Sequence, residues 1–593
     1  MRAAGVTTPT TRRRARLLAC VAGMLLALAG CGGLPEGGPV HHYADTRDGT
    51  PQEPAYFTPP GPAPGASPVA IVKGFMLAMQ ANPPSTAVAR GFLSARARGT
   101  WKPNEGTLVY GASTVSQGAA GQVKVRLVDA HRLDARGGWI STPPGRTDTL
   151  RLHLLREKGE WRIDDPPDAL VVIESYFEGK FAPFDLYFFD QTGHVLVPEP
   201  VYLPRGEQTA TNLVKGLLAG PGRDIADVVR SAFPLGTDLD LSVTVSESGV
   251  AEVPLNGDVL KLPPDQLNRA MAELAWTLRQ VPGVDRVRMT VDGVPVSLPD
   301  GRIDVSVDEG VQFAPGTGQL RPPVAISKGR VVVLEGASAK PAPGPLGSSG
   351  FALRAVAVDR RATRLAAVGA NGRTVYVAPL SAAAREDSVK TVLDNGTDVL
   401  PPQFDRFGNL WLVDRAASGA QVHVVSARRD RVLHVRGVTG EQVAGFSVSP
   451  DGTRLLVALA GGGTPRLLVS NVLRSPEGAV REVTRTRDLP VVSGDLGPAV
   501  DVGWTSATTV AVLTQGPKST SQLVFLLADG SPGDGSPTVP TQLAATASSL
   551  VTGGDARQPV LVVTRDGRLL RLDDSGQWSR RLTAPVKAAA FPG

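Results

Sequence analysis

Seven histidines, two cysteines and a scatter of turn carboxylates are the side chains through which this 593-residue chain could do chemistry. The histidines stand at positions 41, 42, 131, 153, 194, 423 and 434, and apart from His41 and His42 no two have a metal-ligand spacing. His153, His423 and His434 alternate with strand residues, the pattern of core or solvated histidines rather than of bases. Gly445-Phe446-Ser447-Val448-Ser449 approaches a nucleophile elbow but lacks its closing glycine. No phosphate loop of Walker type occurs, and the glycine-rich stretches 461–463 and 530–535 lie between apolar runs, where a hairpin loop explains them. Asp164-Asp165-Pro166-Pro167, Asp405 and Asp451 sit at turns, where a carboxylate bonds nearby backbone. Turn chemistry accounts for them better than acid–base catalysis. No catalytic residue, cofactor site or metal site is expected, and the chain does not read as an enzyme.

Cys31 is the exception. It follows Leu28-Ala29-Gly30 at the end of residues 17–30, all apolar or small. Arg2, Arg12, Arg13, Arg14 and Arg16 precede that run, and the first thirty residues hold no acid. The run is shorter than the about 20 apolar residues of a membrane-spanning helix, and the basic head with small residues at the end describes a secretory signal peptide. Leu28-Ala29-Gly30-Cys31 resembles the bacterial lipobox. The resemblance implies cleavage before Cys31, an S-diacylglycerol on its sulfur and an N-acyl (N-palmitoyl) group on its nitrogen. The mature protein would then be anchored in the lipid bilayer, on the extracytoplasmic face of the cell membrane. Losing residues 1–30 removes five of the 62 Lys+Arg and leaves 57 against 56 Asp+Glu. The formal +6 of the whole chain is therefore a targeting signal, and nucleic acid is excluded as a partner. Cys20 leaves with the same segment, so no disulfide framework or thiolate metal site is expected.

The rest of the chain divides by composition and period. Residues 31–66 read as a flexible tether, because Gly and Pro make up 15 of the 36 residues 32–67. Its reach is roughly 30 Å. Residues 67–175 open with Ser67-Pro68, an N-cap followed by a first-turn proline, and Ile71, Val72, Phe75, Met76 and Met79 recur at helical spacing. After Trp101 the period changes to two, with strands expected over 108–112, 122–129, 149–157 and 161–163. Two helices followed by a long antiparallel sheet resemble the nuclear-transport-factor-like α+β fold.

Residues 181–300 form a second α+β unit. Strands are expected at 187–190, 195–197, 241–245, 250–254 and 287–293, with helices through Leu213, Val214, Leu217 and Leu218 and through Leu267, Met271, Leu274, Ala275 and Leu278. Leu217-Leu218-Ala219-Gly220-Pro221, Phe233-Pro234-Leu235-Gly236-Thr237, Ala275-Trp276-Thr277-Leu278 and Val291-Asp292-Gly293 occur in the order seen in GerMN domains, which this unit resembles. Residues 301–322 read as a linker. Residues 323–593 are all β, with one repeat legible by eye: Val358-Asp359-Arg360-Arg361-Ala362-Thr363-Arg364-Leu365 sets over Phe404-Asp405-Arg406-Phe407-Gly408-Asn409-Leu410 and over Val448-Ser449-Pro450-Asp451-Gly452-Thr453-Arg454-Leu455. Fainter copies turn near Gly329, Ala507 and Gly554, giving spacings of 33, 46, 44, 55 and 47 residues. A four-stranded propeller blade has that length, so a β-propeller of about six blades is expected. Ala588-Ala589-Ala590-Phe591 reads as the opening strand of another blade, which the chain near Val331 would complete to close the ring.

Signal peptide, tether, two α+β domains and a propeller, in that order, resemble the LpqB family of lipoproteins over nearly the whole chain. Gly159-Glu160-Trp161-Arg162-Ile163 followed by Asp165-Pro166-Pro167 adds local support. The resemblance implies a non-enzymatic accessory role beside the MtrA–MtrB two-component system. The partner would be the extracytoplasmic domain of the MtrB sensor histidine kinase, with consequences for cell division and cell-wall homeostasis. Two alternatives stand beside it: a module that binds or hydrolyses cell-wall glycan or peptide with carboxylates at the propeller mouth, and a small-ligand sensor built on the first α+β domain.

Overall fold

Ser67, in extended backbone, accepts the Ala70 N–H on its Oγ at 3.3 Å and so begins helix Pro68–Ala78. The computed structural model describes residues 57–593 apart from 83, 120, 142–144, 317–319, 349, 427–428, 462, 492–495 and 534–538. Leu28, Ala29, Gly30, Cys31, His41, His42 and most of the expected tether lie outside the described residues. Ile71, Val72 and Phe75 of the first helix press on Val123, Val125 and Leu127. These three are the alternate, buried residues of strand Gln122–Val128.

The long sheet expected here is two sheets. Ala112–Gln117, Gln122–Val128, Thr147–Glu157 and Glu160–Ile163 make one antiparallel meander. The other runs Trp139–Ile140, His131–Asp134, Gly106–Tyr110, Leu170–Ile173, and its last pair is parallel. Gly111 lies between Tyr110 and Ala112, where the chain leaves one sheet for the other. With no side chain to pack, a glycine lets a strand bend there.

The middle domain is organised by helix Pro264–Leu278. It joins Val250–Pro254 to its parallel neighbour Arg286–Val291, a connection that needs a crossover. Its Met271, Leu274, Ala275 and Leu278 bury against Leu213, Val214 and Leu217 of helix Thr209–Leu218. The hairpin of Phe181–Asp190 with Leu196–Pro204 covers the other side. Only Thr244–Val245 of the strand expected at 241–245 pairs, and Leu241 is 73% exposed. The segment read as a linker begins inside this domain. Val305–Ser306 pairs with Arg286–Val291, Trp276 Nε1 donates to the Glu309 carbonyl at 2.8 Å, and Phe313 meets Phe189 edge-on at 5.0 Å.

Beyond it the described residues form six four-stranded antiparallel sheets. Blades 1 to 5 take their strands consecutively from Leu353–Val358 to Trp578–Arg580. Blade 6 is composite: its inner strand Ala588–Ala590 pairs with Val324–Ser327, which leads into Arg330–Glu335 and Ser338–Pro341. The ring closes as the sequence pattern anticipates, with Ala588, Ala589 and Ala590 opposite Ile326, Ala325 and Val324. The repeated turn explains itself chemically. Asp359 accepts from Thr363 N–H, Thr363 Oγ1 and Arg364 N–H. Asp451, fully buried, accepts from Ser449, Thr453 and Arg454 side chains. The arginines then reach the next blade, Arg364 to the Gly408 carbonyl at 3.0 Å and Arg454 to the Ala507 carbonyl at 2.8 Å. The turn carboxylates hold turns, and the arginines latch blade to blade.

Candidate functional site

The inner strands ring a channel of about 120 Å³, well under the about 300–1,000 Å³ usual for a small-molecule pocket. Its mouth on the side of the Asp–Arg turns is crossed by residues 314–316. Arg406 Nη1 donates to the Ala314 and Pro315 carbonyls at 3.3 and 3.1 Å, and Arg360 Nη2 donates to the Gly316 carbonyl at 2.8 Å. Burial lowers both arginines, Arg406 to about 10. Asp501 lines the channel from blade 4 and accepts the Leu550 N–H of blade 5 at 2.9 Å; burial pushes its carboxyl up to about 7. This carboxyl ties two inner strands together.

A second space lies outside the ring, where all three domains meet. A cavity of about 600 Å³ is lined by Arg132, Arg136 and Trp139 of the first domain, Glu199 and Asp224 of the second, and Arg454, Asn471, Arg487 and Asp529 of the propeller. Its walls are held by contacts that cross domain boundaries. Arg136 grips Glu199 with both terminal nitrogens, at 2.7 and 2.9 Å, and donates to the Gly220 carbonyl at 3.0 Å; both side chains are 11% exposed. Asn471 Nδ2 donates to the Asp224 carbonyl at 2.7 Å, and Arg485 pairs with Asp227. Tyr202 Oη donates to Ser531 Oγ at 2.8 Å and accepts the Gly533 N–H at 3.0 Å. Its ring packs on Trp139 and Phe177, centroids 5.9 and 5.4 Å away. Phe407 and Leu473 of the propeller reach the core of the middle domain. The three domains are interlocked.

Comparison with known proteins accounts for the order of these parts. Residues 61–178 match the family described as "Lipoprotein LpqB, N-terminal domain", and residues 329–592 match "Lipoprotein LpqB beta-propeller domain". Both models describe domains of LpqB lipoproteins, and together they flank the middle domain. Between those two regions, residues 185–297 match "Sporulation and spore germination", the GerMN domain. The LpqB lipoprotein of Cutibacterium acnes is 28% identical over 603 residues, covering 98% of this chain and 99% of its own. That of Streptomyces coelicolor is 28% identical over 626 residues, covering 98% of each. The first GerMN domain of the sporulation protein GerM from Bacillus subtilis is 23% identical over 21% of this chain and 97% of its own, with a TM-score of 0.19.

The residues that the sequence offers for chemistry are scattered through the fold. His131 stacks on Trp139 at 4.8 Å, and burial lowers its pKa. His423, buried, meets Asp430 at 2.9 Å, while His153, His194 and His434 are exposed. Ser447 is a buried residue of the inner strand Val443–Val448, not the tip of an elbow. Asp164 accepts from Ser94 and pairs with Arg96. Among the described residues no group of three or more His, Cys, Asp or Glu could hold a metal ion, and no helix is long and apolar enough to cross a membrane. The junction residues Arg136, Glu199, Arg487 and Asp529 carried no sequence signal. They come from three domains and become neighbours only when those domains dock.

Proposed function

We propose that this chain is a non-enzymatic accessory lipoprotein of the LpqB family that modulates a membrane sensor histidine kinase of the MtrB type through contact between extracytoplasmic domains. Cys31 carries the acyl chains, and residues 31–66 tether residues 67–593 to the membrane surface. The observation that carries this reading is the interlocking of the three domains across the face of the propeller that bears the Asp–Arg turns. A narrow channel crossed at its mouth leaves little room for a polymeric substrate, whereas a rigid multidomain body offers broad surfaces to another protein. Confinement to the membrane of its partner raises the effective concentration, so a weak contact would still be well occupied.

The test is a parallel pull-down with residues 57–593 as bait, against the kinase's extracytoplasmic domain and against cell-wall sacculi. Saturable capture of the kinase domain, lost when one of the three domains is deleted, supports the proposal and locates the contact. Retention on sacculi without kinase capture moves the wall-binding reading to the front, and release of wall fragments would make the protein a hydrolase.

A further inference from the structure

Two guanidiniums at the mouth of the propeller channel are spent on neutral acceptors. Arg360 and Arg406 both line the channel, and they stand close enough that the charge of Arg360 opposes that of Arg406. Among the described residues neither is within ion-pair distance of a carboxylate, because the nearby acids are taken: Asp451 by Arg454, Asp405 by Arg474 and Asp555 by Arg557. Their donors go instead to a strap of main chain. Arg406 reaches the carbonyls of Ala314, Pro315 and Pro450 at 3.1 to 3.4 Å, and Arg360 reaches that of Gly316 at 2.8 Å. The Arg406 contacts are longer than the about 2.7–2.9 Å usual when a charged donor meets a charged acceptor. Among the described residues, every hydrogen bond from 314–316 to the propeller runs through these two side chains. The strap itself is only half-buried, and Val311 before it is 66% exposed. A cation taken out of water is offset best by an anion, and a neutral carbonyl supplies only part of what is lost.

We propose that the channel mouth is a binding site for an extended peptide that carries a carboxylate, and that residues 314–316 occupy it as a displaceable internal stand-in. The peptide's carboxylate lies between Arg360 and Arg406, in place of the Pro315 and Gly316 carbonyls, and its main chain follows the path of the strap. The present occupant fixes the class of ligand. Three residues of main chain across the mouth show that an extended peptide fits, and two uncompensated positive charges select a negative one. The channel beneath holds about 120 Å³, room for about four waters, so the ligand lies across the mouth and not inside it. Phe313, edge-on to Phe189 at 5.0 Å, anchors the near end of the strap to the middle domain. Release of 314–316 would therefore loosen the hold of that domain on the propeller. This inference does not depend on the kinase reading, and its test uses no kinase.

The test is isothermal titration calorimetry on the full chain in detergent, with three tripeptides built on the strap sequence. N-acetyl-Ala-Pro-Gly amide is neutral, N-acetyl-Ala-Pro-Gly acid ends in a carboxylate, and N-acetyl-Ala-Pro-Glu amide carries one on a side chain. The expected result is saturable one-to-one binding of at least one charged peptide, with the neutral one weaker by about tenfold or more, as a hydrogen bond to a charged group implies. The better of the charged pair tells a chain terminus from an acidic side chain. The double variant Arg360→Gln, Arg406→Gln should bring the charged peptide down to the level of the neutral one. Phe313→Ala, which loosens the strap at its anchored end and leaves both arginines in place, should tighten the charged peptide by about two- to tenfold, the worth of one aromatic pair, because the site is then vacant more often. If the double variant fails to fold, Phe313→Ala and the comparison of charged with neutral peptide on the native chain decide. No saturable heat up to about 10 mM, a range that covers even weak millimolar ligands, overturns the proposal. A neutral peptide that binds as tightly as the charged ones also overturns it, as does an unchanged affinity in Phe313→Ala, since the strap would then not be what the peptide displaces.

Discussion

Removing Glu199 should uncouple the first two domains. Glu199 takes both terminal nitrogens of Arg136, and its two oxygens also accept the Gly222 N–H at 3.1 Å. With 11% exposure on each side there is little solvent to replace what is lost. In Glu199→Ala the arginine keeps Asp134 at 2.8 Å and the Gly220 carbonyl at 3.0 Å, but the Gly222 N–H is orphaned. Breaking such a buried pair from one side costs about 3–5 kcal/mol, whereas replacing both partners by apolar groups costs far less. The assay is a double-mutant cycle of Glu199→Leu, Arg136→Met and both together, read as urea midpoints. The signal is tryptophan fluorescence, because Trp139 lies against Tyr202 of the neighbouring domain. Each single variant should lose about 3–5 kcal/mol and the double variant less than their sum by about 2 kcal/mol or more. Strict additivity would refute the reasoning, since it would mean that the two side chains do not act as a unit.

Deleting residues 588–593 should lower the melting temperature by many degrees, because Val324–Ser327 loses its hydrogen-bonded neighbour and blades 1 and 5 lose the strand packed between them; an unchanged melting curve would remove the closure from the account of stability. Stability should fall as pH rises from about 4.5 to about 8, because Glu273, buried and pushed up to about 8, binds a proton in the folded chain that the unfolded chain has already released. Glu273→Gln should flatten that slope in melts taken at steps across the window, although Asp185 and Asp501, raised to about 6 and about 7, will keep part of it. Cys31→Ala should leave the protein as unprocessed precursor or release it to the medium, since two or three acyl chains anchor stably and none does not; full retention on membranes after an alkaline wash would count against lipidation at Cys31.

The repeat was legible because its turns reuse the same local chemistry. Asp359 and Asp451 sit five or fewer residues from the groups they hold, and Asp405 does so from Phe407 and Asn409, and that kind of contact shows in a sequence. The odd spacing of 33 residues has a physical cause. Gly329 joins the second and third strands of blade 6, whereas the other five turns join first to second strands, and the matching connection of blade 6 is not made by the chain at all. Helical spacing predicts the helix around Met271, and strand-period runs predict its neighbours at 250–254 and 287–293 without their parallel pairing; composition reads the Asp and Gly of residues 301–322 as a linker, although Val305 and Phe313 pack into the domain before them. The junction was illegible. Tyr202 and Ser531 are 329 positions apart, Asn471 and Asp224 are 247 apart, and no local pattern marks residues whose role exists only after domains dock.

The composite blade also fixes an order of events. Ser327 donates to the Pro585 carbonyl across 258 positions, and Val324, Ala325 and Ile326, paired on one side with the next strand, find partners on their other side only once Ala588–Ala590 has emerged. Contacts of such separation form late, because the intervening loop entropy must be overcome before they return anything. Five blades can exist as an open crescent while the sixth waits with an unpaired edge, the kind of surface that recruits a second chain when left exposed. If the chain is exported as proposed and folds afterwards, this places the hazard at the end of export. A delay there would show as chains joined edge to edge rather than as degraded fragments.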